Sequence, residues 1–193
     1  MRVRSATARS FALLLLLISL AGAQSSQPKR DADVPYVPTT RAAVNAMLKL
    51  ADVKKSDIVY DLGCGDGRIV IAAAKEYGAH GVGIDIDPKL VREAGENARK
   101  AGVENLVRFE ENDIFNADIH EATVVSLFLL NSINAKLRPK LLRDLKPGAR
   151  IVSNTFGMGD WKPDKELTVG DPVEGFSISH KLFLWTVPQA TKK

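Results

Sequence analysis

The sequence DIVYDLGCGDGR, residues 57–68, constrains this chain more than any other segment. An apolar, β-branched run ends in Asp61, glycines follow at 63, 65 and 67, and a helical pattern begins at Arg68. Glycine lets the backbone turn tightly and approach a ligand closely, and a helix N-terminus offers free N–H groups to an anion. A strand feeding such a turn and then a helix is the opening unit of an α/β fold with a mostly parallel sheet. Those sheets bind ligands at the carboxyl ends of their strands.

The rest of the chain repeats the alternation. After Ile58–Leu62, further apolar runs lie at 81–86, 106–109, 122–130 and 150–153. Between them the apolar spacing is helical. Val44, Met47, Leu48 and Ala51 share one face of a first helix, capped by Thr39 or Thr40. Arg68–Tyr77 makes a second, ended by Gly78. Asp87-Pro88 opens a third, with Leu90, Val91 and Ala94 inward. Asn131 is expected to cap a fourth, whose Leu137, Leu141, Leu142 and Leu145 face the sheet until Pro147-Gly148 stops it. The tail, 165–188, has two strand-like runs and no helix between them, which predicts an antiparallel hairpin on the sheet edge with Phe183 and Trp185 in the core. The expected architecture is a Rossmann-like α/β sheet, mostly parallel, with helices on both faces.

A length of 193 residues is one domain's worth, and 45% hydrophobic with 26% charged residues is a globular composition. The first 23 residues read as a secretory signal peptide: Arg2, Arg4 and Arg9, an apolar run over 11–20, then Ala21-Gly22-Ala23 before Gln24. The apolar stretch 11–23 is shorter than the roughly 20 residues that span a bilayer. Export to the periplasm or the outside is therefore expected, with tethering by an uncleaved leader as the alternative. Residues 24–35 read as a polar linker and 36–188 as the domain. Three of the 27 lysines and arginines lie in the leader, and the other 24 face 23 acids, so the net charge of +4 does not argue for a nucleic-acid partner. His80, His120 and His180 form no metal-ligand spacing and read as surface or boundary residues. Cys64 stands alone, which excludes an intramolecular disulfide, and it reads as a small loop filler.

Three strand ends carry acids. Asp61 closes the first. The second ends GIDID, with Asp85 placed 22 residues beyond Gly63, where a carboxylate accepts both hydroxyls of a ribose. The third ends FEENDIF, which sets Asp113 and Ile114 beside the expected adenine position. Asp66 and Asp113 also have plainer readings, as a helix cap and a turn residue. The turn spaces Gly63, Gly65 and Gly67 as G-x-G-x-G, with Arg68 where a dinucleotide fingerprint has its third glycine. Carboxylates in the turn oppose a pyrophosphate. They suit a ligand with its own ammonium, and S-adenosylmethionine combines an ammonium, a carboxylate, a ribose and an adenine. A small Rossmann-type NAD-dependent oxidoreductase and an exported cofactor-binding module without turnover are the alternatives.

DLGCGDGR, GIDID, NDIF and LKPGARIVS resemble the successive motifs of class I, seven-stranded S-adenosylmethionine-dependent methyltransferases. More narrowly, YVPTT, DLGCGDGRIV, LFLLNS and GARIVSNTF are similar to the seven-stranded protein-lysine methyltransferases related to the mitochondrial translocase and ATP-synthase-subunit methylating enzymes. The resemblance implies that Tyr36 and Thr39 close over the cofactor. It also implies that Asp61 and Gly63 meet its methionine part, Asp85 its ribose and Asp113 its adenine amino group. The fourth strand end, LLNSIN, lacks the two prolines and aromatic of DNA amino-methylases, so a DNA base is not the expected acceptor; the resemblance implies a protein lysine, with a small amine as the alternative. Asn131 is the candidate for orienting that amine. Phe128, Phe156 and Trp161, with Tyr36, are the candidates for an aromatic channel around an alkylammonium chain.

Overall fold

Alternating and helical apolar spacings sort into four helices and seven strands over the described residues, 36–173 and 176–189 of a computed structural model. The expected leader and linker lie outside these residues. The helices are α1 (Arg41–Leu50), α2 (Arg68–Tyr77), α3 (Pro88–Ala101) and α4 (Asn131–Asp144). The strands are β1 (Ile58–Leu62), β2 (His80–Asp85), β3 (Val107–Glu111), β4 (Val124–Leu127), β5 (Arg150–Asn154), β6 (Lys165–Val173) and β7 (Phe176–Thr186).

They form one sheet in the order β3-β2-β1-β4-β5-β7-β6. Pairings from β3 through β5 are parallel; β7 runs antiparallel to both β5 and β6. The expected C-terminal hairpin is therefore present, with β7 docked on β5 and β6 outermost. Alternate residues feed opposite faces. Val59, Val124 and Val152 pack with Met47, Leu48, Ile69 and Val70 of α1 and α2. Tyr60, Leu62, Val125, Leu127 and Ile151 pack with Leu137 and Leu141 of α4 and with Trp185. Trp185 is 1% exposed and Phe183 is partly buried against the same cluster, so both belong to the core as expected.

Four local expectations need correction. The fourth strand is four residues, and its pairing with β1 stops where β1 does, at Leu62 opposite Leu127. Phe128, Leu129 and Leu130 thus leave the sheet. Asn131 is not the cap of α4: the Leu130 carbonyl accepts the first helical bonds, from Ile133 and Asn134, and Asn131 sits inside the first turn. Leu142 is 38% exposed, since it lies 100° around the helix from Leu141 and off the buried Leu137–Leu141–Leu145 stripe. His180 is not a boundary residue. It is buried, with Nδ1 3.2 Å from the Asn154 side-chain oxygen and Nε2 3.4 Å from the Thr40 hydroxyl. That joins β7 and β5 to the cap of α1, where Thr40 accepts from the Ala43 N–H.

Candidate cofactor and acceptor site

The order of the sheet places β1 between β2 and β4; the connection after β1 runs outward to β2 and that after β4 runs the other way to β5. This is the switch point at which α/β sheets open a crevice. A pocket lies at that point, lined by Tyr36, Thr39, Asp61, Gly63, Asp66, Asp85, Asp113, Ile114 and Phe128 of the expected residues. Residues that the sequence did not single out as ligands complete it, among them Arg68, Leu90, Leu129 and Ile133. Leu90 and Val91 are half-buried rather than fully inward, and Leu90 faces this pocket.

Asp61 is 3% exposed at the end of β1. Its Cα partner on β4 is Ser126, whose hydroxyl donates 2.7 Å to its carboxylate. Burial raises its pKa to about 7, against the lowering effect of the Ser126 bond and with further raising by Asp85 and Asp66. Asp85, 8% exposed, accepts from the N–H of Gly65 at 2.8 Å and of Asp87 at 3.0 Å, one bond to each oxygen. Its carboxylate is thus pinned to the glycine turn and keeps lone pairs for ribose hydroxyls. Asp66 is partly desolvated, which favours its neutral form, yet hydrogen bonds and charge from Arg68 outweigh this and hold its pKa below the usual carboxylate value. Asp113 accepts from the Phe115 N–H at 2.9 Å, which orients it on the turn after β3 beside Ile114.

Two of the expected cofactor glycines also meet a packing demand. A Cβ on Gly67 would come within 2.6 Å of Phe109 and 2.9 Å of Ala94, so this residue lets α2 pack against β3 and α3. A Cβ on Gly65 would lie 2.2 Å from the ring of Tyr36, which covers it. Cys64 is buried and burial pushes its thiol pKa up, consistent with a loop filler.

The acceptor candidates divide. Phe128 on the pocket wall stacks on Phe156, with centroids 6.0 Å apart and planes at 28°. Trp161 is not brought to the pocket: it packs on Trp185 at 6.1 Å, its carbonyl accepts the Trp185 indole N–H, and the Arg138 guanidinium lies 5.7 Å from its ring. Asn131 is exposed near Gly157, at the start of α4. Asn134, unnoticed in the sequence, is fully buried, and its amide donates to the carbonyls of Phe156 and Gly157 at 3.1 and 3.2 Å. It fastens a loop in which Thr155 adopts a φ of 66°, unusual for a β-branched residue.

The donors present fit S-adenosylmethionine. Burial leaves Asp61 only partly ionised near neutral pH, and a ligand ammonium beside it would favour its charged form. Asp85 would accept from hydroxyls, and Leu90 and Ile114 would give apolar walls to a base. A seven-stranded sheet of this order, with such a pocket at its switch point, defines a class I S-adenosylmethionine-dependent methyltransferase. Within that class the chain belongs to the ANTKMT methyltransferase domain family, which residues 61–165 match. It is 44% identical over 155 residues to a protein-lysine N-methyltransferase of Saccharolobus islandicus, covering 80% of this chain and 94% of that protein. It is 34% identical to an ATP-synthase-subunit lysine N-methyltransferase of Xenopus laevis, over 78% of this chain and 66% of that one. A solved RNA methyltransferase from Salinibacter ruber, in complex with S-adenosyl-L-homocysteine, is 51% identical, with a TM-score of 0.73 over 81% of this chain and 97% of that one.

Proposed function

We propose that the acceptor is the side-chain amine of a protein lysine. The observation that carries this reading is the cation balance of the pocket. Among the described residues that line it, Arg68 is the one cation, and Asp66 holds that guanidinium through two hydrogen bonds. A phosphate backbone is bound by free lysines and arginines along a groove. The names of the Saccharolobus islandicus and Xenopus laevis relatives point the same way. An RNA base is the second reading, favoured by the name of the Salinibacter ruber relative and by the Phe128–Phe156 pair, on which a base could stack.

When bound, S-adenosylmethionine supplies a methyl group on a sulfonium, ready for direct displacement. The protein's part is alignment and desolvation. Asp61 would hold the ammonium and Asp85 the ribose. Phe128 and Phe156 give an apolar wall that excludes water and lowers the pKa of an incoming lysine from its ordinary value near 10.4. A neutral amine then attacks without a dedicated base.

A labelled-cofactor transfer assay on a whole-cell lysate tests the acceptor. Label that survives nuclease, is released by protease and is recovered as methyl-lysine after acid hydrolysis supports the proposal. Nuclease-sensitive label would transfer the assignment to RNA, and an organic-soluble product to a small amine.

We also propose that residues 1–23 direct export and are removed, on the order of charged, apolar and small-residue regions in the leader. Mass spectrometry of the mature protein should find Gln24 first. A soluble chain still beginning at Met1 overturns it.

A further inference from the structure

Arg68 is the residue that broke the dinucleotide spacing, and its side chain has a position of its own. It leaves the first turn of α2, and its Nε and Nη2 donate to the two oxygens of Asp66 at 2.9 and 2.6 Å. Its Nη1 donates to the backbone carbonyl of Thr39 at 2.6 Å. The Tyr36 hydroxyl lies near the same Asp66–Arg68 pair, and the Tyr36 ring lies against Gly65. One guanidinium therefore ties two distant parts of the chain: the glycine turn, through Asp66, and the segment 36–39, through Thr39. Between them lies the pocket, whose rim includes Tyr36, Val37, Pro38 and Thr39.

The segment has little else to hold it. Tyr36 and Val37 are 46% and 57% exposed, so hydrophobic burial fastens only Thr39, at 4%. Pro38 contributes no N–H. We infer that Arg68 is a positioning residue that latches segment 36–39 across the cofactor pocket and thereby sets how long the cofactor stays bound. The planar fork matters here. It satisfies both carboxylate oxygens of Asp66 on one edge and reaches a carbonyl from the other, a geometry a lysine ammonium cannot reproduce.

The test uses S-adenosylhomocysteine as the probe on the full protein and needs no acceptor. In Arg68→Gln the dissociation rate of the probe, followed by stopped flow, should rise at least tenfold. The association rate should change less than threefold, and backbone amides of 37 and 39–40 should exchange hydrogen faster. Arg68→Lys should resemble Arg68→Gln, because charge alone does not make the latch. The effects of Arg68→Gln and Tyr36→Ala on dissociation should fall short of multiplying, since each releases the same segment. Wild-type dissociation in Arg68→Lys, unchanged exchange at 37 and 39–40, or fully multiplicative effects would each overturn the inference. Should Arg68→Gln fail to fold, Asp66→Asn, which loosens the same fork, gives the same dissociation and exchange readouts.

Discussion

Ser126 on β4 and Asp61 at the end of β1 stand in register, and the serine hydroxyl donates to a carboxylate that is only 3% exposed. One neutral hydrogen bond does not offset the desolvation of a charge, which is why Asp61 has a pKa of about 7 in the folded protein against an ordinary value of 3.8. The site keeps an acid that is costly without a ligand.

A folded pKa above the unfolded one means that the folded state favours the protonated form. Its stabilising contribution is complete below pH 3.8 and is lost as the pH rises to 7. Asp61→Asn should accordingly stabilise the ligand-free protein at pH 8, by up to ~4 kcal/mol at 1.36 kcal/mol per pKa unit. The gain should shrink toward zero below pH 4. The same substitution should weaken S-adenosylhomocysteine and abolish the rise in wild-type affinity expected between pH 6 and 8, as Asp61 ionises. Denaturant unfolding and calorimetric titration across pH check both. A variant less stable than wild type at every pH would sink the account.

Far from the pocket, Arg150 closes the opposite end of the sheet. It donates to the carbonyls of Ala51 and Asp52 at 2.6 and 2.8 Å and pairs with Asp57, which also accepts from Thr123 at 2.7 Å. Asp57 is 5% exposed, so Arg150→Ala leaves a buried charge and two carbonyls without this donor. The expected loss is about 2–4 kcal/mol, below the upper end for fully buried pairs because Arg150 itself is partly exposed. Cofactor affinity per folded molecule should not change. Chemical denaturation beside probe titration separates the two effects.

Phe156 and Trp161 follow the same strand and are equal candidates by sequence, but their surroundings predict opposite phenotypes. Phe156→Ala removes the ring stacked on Phe128 of the pocket wall, and should lower turnover at least tenfold while probe affinity stays within twofold. Trp161→Ala opens a void against Trp185 and strips the cover from Arg138. It should cost about 2–4 kcal/mol of stability and leave turnover of the folded fraction near wild type. Turnover with a purified acceptor, alongside melting curves, decides between them.

The fold was legible because its determinants are local. The Asp61-to-Arg68 turn, the proline-opened α3 and the helix-free tail each carry a backbone preference within a few residues. Asp61, Asp85 and Asp113 on the pocket were legible for the same reason, since each lies at or just past a strand end. Arg68, Ser126 and Asn134 were not. Each acts through a partner between 19 and 65 residues away, and neither residue of such a pair marks the other. Trp161 shows the converse: an aromatic after a strand end reads alike whether it faces the site or the core, and only the indole of Trp185 decides.

Cys64, the chain's one cysteine, is shut away from solvent by its own turn. It sits inside the glycine turn, 4% exposed, with its thiol 3.8 Å from the Gly65 carbonyl, and burial raises its pKa further. A thiol reagent needs the thiolate in solvent, so the folded protein should not react at pH 8. Labelling should proceed only through unfolding, and its rate should rise with urea along the slope of global unfolding. Addition of S-adenosylhomocysteine at 100 times its Kd should slow labelling about 100-fold, by mass action on the folded state. Cys64 also lines the pocket, so a bound probe could shield it directly. The urea slope separates the two routes: opening confined to the turn gives a shallow slope, and complete unfolding a steep one. A rapid, urea-independent reaction in the ligand-free protein would show that the turn opens by itself and that the packing of Cys64 against the end of β2 is not what holds it.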